Sequence, residues 1–423
     1  MTARRPIRIM PRVIVAAIGL PIGAVAELWL AIEIGTATYG VYAGLVALAR
    51  VLAAIASRGS ESGIVRMRTE LPGVHPGAIL RWTMLQTGPL SLIGAIVVVA
   101  IIVSTGHQAL APAALLLAIC PMCTLVATMQ GSMTADGRTG RAIIPNSLVQ
   151  PLGIAVGAGL IISGWCQPTV ESAAWIGFGS WLFAMMAACV LTMASRSQSE
   201  GTSLNSTQRR MCRQTLGHFT LLTVGNQILA RTDVALLGLF GSPSATGLYA
   251  IISKITGVML VGMQAAASAM RPHFGAYHRD SKLDALAGPM RRVRAIGVSW
   301  AVAVTGIGTL FLALGHQLSD QFDPLSTAGW CAFAALCIAQ FVIVITGPLS
   351  AALNQTGHAN RVAWLTLGIS GAAIVAQAVA APWGALPMAV TTMASRITLR
   401  LGLLRVARTD HQLLKLFLLR VRA

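Results

Sequence analysis

Five ionisable residues fall inside long apolar runs of this 423-residue sequence: Glu27, Arg50, Arg231, Asp233 and Lys254. A charge near a bilayer centre costs on the order of 3 kcal/mol by insertion scales, so such residues face a protein interior or a wet path. Their types allow two kinds of chemistry. The bases can hold an anion, and the carboxylates can take up and release a proton or bind a sodium ion. An alternative is purely structural: Glu27 with Arg50, and Asp233 with Lys254, as ion pairs between neighbouring helices. Arg231 has no such partner. On a helix, Arg231 and Asp233 point about 200° apart. Asn226 shares a face with Asp233, and Gln227 shares another with Arg231. Polar groups on several faces suit a helix at a cavity wall. Two acids against three bases leave an excess of one positive charge, which favours an anionic substrate. The expected substrate-binding set is Arg50, Arg231, Lys254, Asn226 and Gln227; the expected ion-coupling set is Glu27 and Asp233.

No enzyme constellation accompanies these residues. HExxH, GxSxG and the phosphate-cradling GxxxxGK[ST] do not occur. The last absence argues against an ATP-driven pump. Cys120-Pro-Met-Cys123 has redox or metal spacing, but it lies mid-run without other ligand-type residues, so it reads as packing. The seven cysteines indicate no disulfide framework. No cofactor and no metal are expected.

The elements that position the charges are membrane helices. The chain is 55% hydrophobic and 10% charged, with mean hydropathy +0.72, whereas soluble domains carry roughly 25% charged residues. About 20 apolar residues cross a bilayer. Twelve runs qualify, at about 13–34, 39–57, 82–104, 109–130, 143–163, 174–194, 214–240, 245–270, 295–316, 327–349, 362–381 and 385–404. Arg396 and Arg400 interrupt the last and are expected to snorkel to the interface. The first run is too long for a signal peptide's apolar region. Lys and Arg concentrate in 1–12, 58–81, 131–142, 195–213, 271–294, 350–361 and the C-terminal tail; the alternate connections hold none. That asymmetry predicts both termini in the cytoplasm. It also accounts for the net charge of +18 without nucleic acid. The tail His411–Arg422 is short, apolar and basic; an interfacial helix and a frayed end are both compatible with it.

The Ser-rich stretch within 195–213 is a linker. It separates a six-span lobe (1–200) from a second (214–405), followed by a tail (406–423). The fold class is all-α and polytopic, with two parallel six-helix lobes around a central cavity. Two short repeats support the division. Tyr39-Gly-Val-Tyr-Ala43 resembles Thr246-Gly-Leu-Tyr-Ala250, and 133–141 resembles 353–361 at Gly137/Gly357 and Arg141/Arg361. Transporters built from repeats place the substrate between them.

The segment 28–66, with Gly35, Gly40, Tyr42, Ser57, Gly59 and Arg66, resembles the N-terminal hairpin of polysaccharide transporters of the multidrug/oligosaccharidyl-lipid/polysaccharide (MOP) flippase superfamily. Residues 233–250 resemble the family's seventh-span pattern of an Asp, a short apolar run, a Gly turn and Gly-x-Tyr. The resemblance implies a Wzx-type flippase in the bacterial inner membrane. Its substrate would be an undecaprenyl-diphosphate-linked oligosaccharide used for O-antigen, capsule or exopolysaccharide. It further implies a cationic cavity, H+ or Na+ coupling, membrane lipid as surroundings, and polymerase and export proteins as partners. Asp233 matches the seventh-span acid. Glu27 departs from the pattern, where a base is usual. The competing readings are a drug or cation antiporter of the same superfamily and a membrane glycan polymerase or ligase. The latter needs a long catalytic outer loop, and the longest outer connection here is about a dozen residues.

Overall fold

The computed structural model describes residues 10–71, 74–104, 110–194, 204–261, 283–318 and 326–410, with single positions from 263 to 278 and at 413 and 417. Among these residues the architecture is entirely helical. The first half contains α1 (Met10–Ile34), α2 (Thr36–Ser57), α3 (Ser60–Glu70), α4 (Pro76–Ser104) and α5 (Leu110–Ala135). Its fifth span begins as α6 (Thr139–Ile144), passes through a π-helical turn (Pro145–Val149) and continues as α7 (Gln150–Ile162); α8 (Val170–Met193) is the sixth. The second half comprises α9 (Ser206–Phe240), α10 (Pro243–Val258), α11 (Ala287–Leu318), α12 (Thr327–Thr346), α13 (Leu349–Gln355), α14 (Ala359–Ala380) and α15 (Ala385–Ala407). Among the described residues six helices are by themselves long and apolar enough to cross a membrane, and six longer helical segments in each half fit the twelve-run reading.

Side-chain caps set several starts. Asn205 and Gln208 form a reciprocal capping box at α9, while Ser242 and Ser326 accept from the third following N–H at α10 and α12. Each satisfies donors that a helix leaves orphaned.

Three features differ from the sequence expectation. The short helices α3 and α13 lie in stretches read as connections, because neither is apolar enough to register as a span. The eighth span is not one straight helix. Helix α10 ends at Val258 in a turn over Met259 and Leu260. Gly257 weakens the helix there, and Trp300 Nε1 donates to the Val258 carbonyl at 2.9 Å. Non-helical backbone at membrane depth persists where such partners exist. Finally, Leu413 and Phe417 are buried against the second half, and Arg294 donates to the Phe417 carbonyl at 3.1 Å. Of the two readings left open for the tail, the described positions Leu413 and Phe417 speak against a frayed end.

The halves meet along α2, which packs against both α9 and α10. Glycine makes this approach possible. A Cβ on Gly40 would lie 2.0 Å from the Pro243 carbonyl oxygen, and one on Gly247 would lie 1.8 Å from that of Thr36. These two glycines are the repeat equivalents seen in the sequence, so the contact is a near two-fold one between the starts of α2 and α10. It lies at the helix ends away from the basic connections. Small residues are the usual means of close helix approach in membranes. Accordingly, Gly247→Val will separate the halves. It is expected to lower the midpoint of thermal unfolding of the purified protein by several degrees, overpacking costing on the order of 1–3 kcal/mol, while Gly306→Ala, which meets open space, leaves it unchanged.

A cationic cavity between the two halves

A cavity of about 470 Å³ lies between the halves. Its charged lining residues are Glu27, Arg50, Arg231, Lys254, Arg396 and Arg400, five bases against one acid. Uncharged polar groups contribute as well, among them Asn146, Gln150, Asn226 and Gln340. Of the seven residues expected from sequence, Glu27, Arg50, Asn226, Arg231 and Lys254 line it. Gln227 and Asp233 do not.

The ion pairs do not follow the expected pattern. Glu27 pairs with Lys254 across the seam, not with Arg50. The side chains are 13% and 30% exposed, so the contact is sheltered yet open to the cavity. Tyr39 Oη also reaches Glu27, at 3.4 Å. Arg50 instead stacks over the Trp181 ring, 5.2 Å from its centroid, a cation–π contact. In the second half Asp233 faces Arg396, with Nη2 3.8 Å away, and not Lys254. Asp233 is fully buried. It accepts from Tyr249 Oη and from the Val234 N–H, each at 2.8 Å. Tyr249 bridges onward to Thr392. The repeat suggested pairs within each half because it aligns acids and bases by position along the chain. Helix packing overrides that alignment by bringing α1 beside α10 and α15 beside α9.

Helical geometry explains the rest of α9. Arg231 and Asp233 point apart as expected, one into the cavity and one into the second half. Asn226 and Asp233 share a face, but two turns separate them. Asn226 is open to the cavity, whereas Tyr249 and Arg396 cover Asp233. Gln227 lies four residues from Arg231 and accepts from its Nε at 3.3 Å. Its place is behind the base it orients.

Arg396 and Arg400 were expected to snorkel to the inner interface. They line the cavity instead. Their four-residue spacing on α15 was the available signal that they share a face. Arg400 Nη1 is buried without a hydrogen-bond partner. Cys120 and Cys123 are free thiols outside the cavity lining. Among the described residues, no cluster of three or more His, Cys, Asp or Glu is placed to hold a metal ion.

The seam pair is testable by charge exchange. Glu27→Lys and Lys254→Glu should each depress expression and transport, since each leaves two like charges facing. The double exchange should restore most of both, at least tenfold above either single variant.

Comparison with known proteins places this geometry. No curated protein matches the sequence. Among solved structures, the chain is similar to an inward-facing multidrug resistance MATE family transporter of the MOP superfamily, with TM-score 0.65 and 15% identity over 95% of this chain and 99% of that one. An outward-facing conformation of a MATE family transporter gives 0.63 at 16% identity, covering 95% of each chain. A MOP superfamily transporter from Pyrococcus furiosus, described by the reverse polarity of its binding pocket, gives 0.61 at 15% identity, covering 96% of each. These likenesses give the fold. Residues 13–278 match the family described as polysaccharide biosynthesis protein. That is more than half of the sequence, and the chain therefore belongs to the polysaccharide biosynthesis protein family, built as a multi-pass membrane protein on the transporter fold of the MOP superfamily.

Proposed function

We propose that this protein is a flippase for a lipid-linked oligosaccharide, an undecaprenyl-diphosphate-borne repeat unit moved from the inner to the outer leaflet of a bacterial cytoplasmic membrane during polysaccharide synthesis. The observation that carries the proposal is the charge of the cavity: five bases and one acid between two six-span halves, in a chain of a polysaccharide biosynthesis family. A diphosphate cannot cross hydrocarbon unaided, because burying an unpaired charge is prohibitive. Guanidinium groups replace its hydration with charge-assisted, bidentate hydrogen bonds. Arg231, Arg396 and Arg400 supply such forks, and Lys254 adds point charge. With the cytoplasm negative, outward movement of an anion is downhill by about 2.3 kcal/mol per charge per 100 mV.

Glu27 is the coupling carboxylate in this account. It reaches the cavity and joins the halves through Lys254. A proton on Glu27 removes that attraction, frees Lys254 for the substrate and loosens the seam. Asp233 is walled off from the cavity and fits a positioning role toward Arg396. A sodium ion competing for Glu27 would act in the same sense as the proton.

The same cavity disfavours a drug or cation antiporter, whose substrates would meet like charge. The pocket polarity of the Pyrococcus furiosus transporter is itself offered as a sign of different function, and the same criterion applies here. A polymerase or ligase would accumulate lipid-linked units on the outer face when deleted; a flippase accumulates them on the inner face.

Two outcomes are expected in cells. Arg396→Ala combined with Arg400→Ala, at normal membrane levels, should cut glycan export at least tenfold and leave lipid-linked units facing the cytoplasm; full export would refute the cationic site. Glu27→Gln should abolish the response of transport to an imposed pH gradient. A response equal to that of the unaltered protein would remove Glu27 from coupling.

A further inference from the structure

The two walls of the cavity differ. From the second half come four bases, Arg231, Lys254, Arg396 and Arg400; from the first come one base, Arg50, which lies over Trp181, and Glu27, which is paired with Lys254. Amides line both walls, Asn226 and Gln340 from the second half and Asn146 and Gln150 from the first; only the first-half pair is set on and just after a π-helical turn, Pro145–Val149. The Gln150 N–H donates to the Pro145 carbonyl five residues back, which defines the turn. Asn146 is exposed to the cavity. Gln150 is 5% exposed, and its Nε2 has no hydrogen-bond partner. Helix α1 fixes the turn from behind: a Cβ on Gly19 would lie 1.5 Å from the Ser147 carbonyl oxygen, and one on Gly23 would lie 2.9 Å from Pro151. Helix α14, in the corresponding place of the second half, is an uninterrupted α-helix.

We infer that the π-helical turn of the first half carries an uncharged subsite for the sugar, with Asn146 and Gln150 as its contacts, opposite a second-half wall that holds the anionic head. The inference rests on the flippase reading and refines it. Buried amides without partners are rare because each forfeits its hydrogen bonds with water. A π turn adds one residue to the helix and re-aims side chains, and such turns gather at functional sites. Here it presents two amides, four residues apart, to one cavity wall. Amides donate to and accept from hydroxyl and acetamido groups without drawing in the diphosphate, and the wall that carries them holds one base against four opposite. The substrate is thereby oriented across the seam, head to the second half and first sugar to the first half.

The test uses the purified full-length chain in lipid nanodiscs, with two probes, farnesyl diphosphate and farnesyl-diphosphate-linked N-acetylglucosamine. The unaltered protein should bind the sugar-bearing probe about tenfold tighter than the bare one, as two added hydrogen bonds would give. Asn146→Ala and Gln150→Leu should each reduce that gain to threefold or less, with affinity for bare diphosphate kept within twofold. Arg396→Ala should weaken both probes alike. Asn146 is exposed, so its variant decides the matter if Gln150→Leu misfolds. Equal affinity for the two probes, or a tenfold gain that survives both substitutions, overturns the subsite. If the folded, unaltered protein binds neither probe, the flippase reading fails first and the subsite with it.

Discussion

Five cations must be kept at bilayer depth without unfolding the helices that carry them. Each costs on the order of 3 kcal/mol if left to hydrocarbon, and most have a specific remedy. Lys254 takes Glu27 from the other half. Arg396 takes Asp233, itself held by Tyr249 and a backbone N–H. Arg50 rests on Trp181, and Arg231 on Gln227. Arg400 retains a buried, unpartnered nitrogen. Two carboxylates offset part of the charge and leave an excess of three positive charges in and around the cavity. A diphosphate would offset that excess, which is the ground on which we propose a binding site there.

The remedy for Lys254 lies in the opposite half, so the cavity and the seam are one problem. Glycine contacts between the starts of α2 and α10 bring the halves close enough for Glu27 to reach α10. Past Lys254, α10 breaks beside the cavity, with Trp300 capping its last carbonyl. A tight end, a cross-seam ion pair and a broken helix follow one another along the same element. Any change in charge at Glu27 is thereby felt at the place where the halves are joined.

Much of this was legible in the sequence. The twelve apolar runs correspond to helical segments, because hydropathy measures the one property a membrane selects. Glu27, Arg50, Arg231 and Lys254 announced themselves by cost alone, and all four line the cavity. The repeat at Gly40 and Gly247 marked the lobe contact, though not its purpose. Arg396 and Arg400 were misjudged because a base near the end of a span usually snorkels; only the packing of α15 against α9 turns Arg396 toward Asp233. The ion pairs were misjudged for a related reason. Sequence repeats align the halves with each other, while the salt bridge of Glu27 runs between them. The π turn and the break after Val258 depend on local backbone choices that apolar periodicity does not record.

The central claim is that the cavity recognises an anionic, glycan-bearing lipid. Its most direct test is an equilibrium binding isotherm for the purified protein in nanodiscs, measured with a prenyl-diphosphate oligosaccharide and with the same glycan on a neutral prenyl alcohol. The account predicts saturable binding of the diphosphate form that weakens as salt is raised, and at least a hundredfold weaker binding of the neutral form. Equal affinity for the two, or preferential binding of an organic cation of similar size, would contradict it.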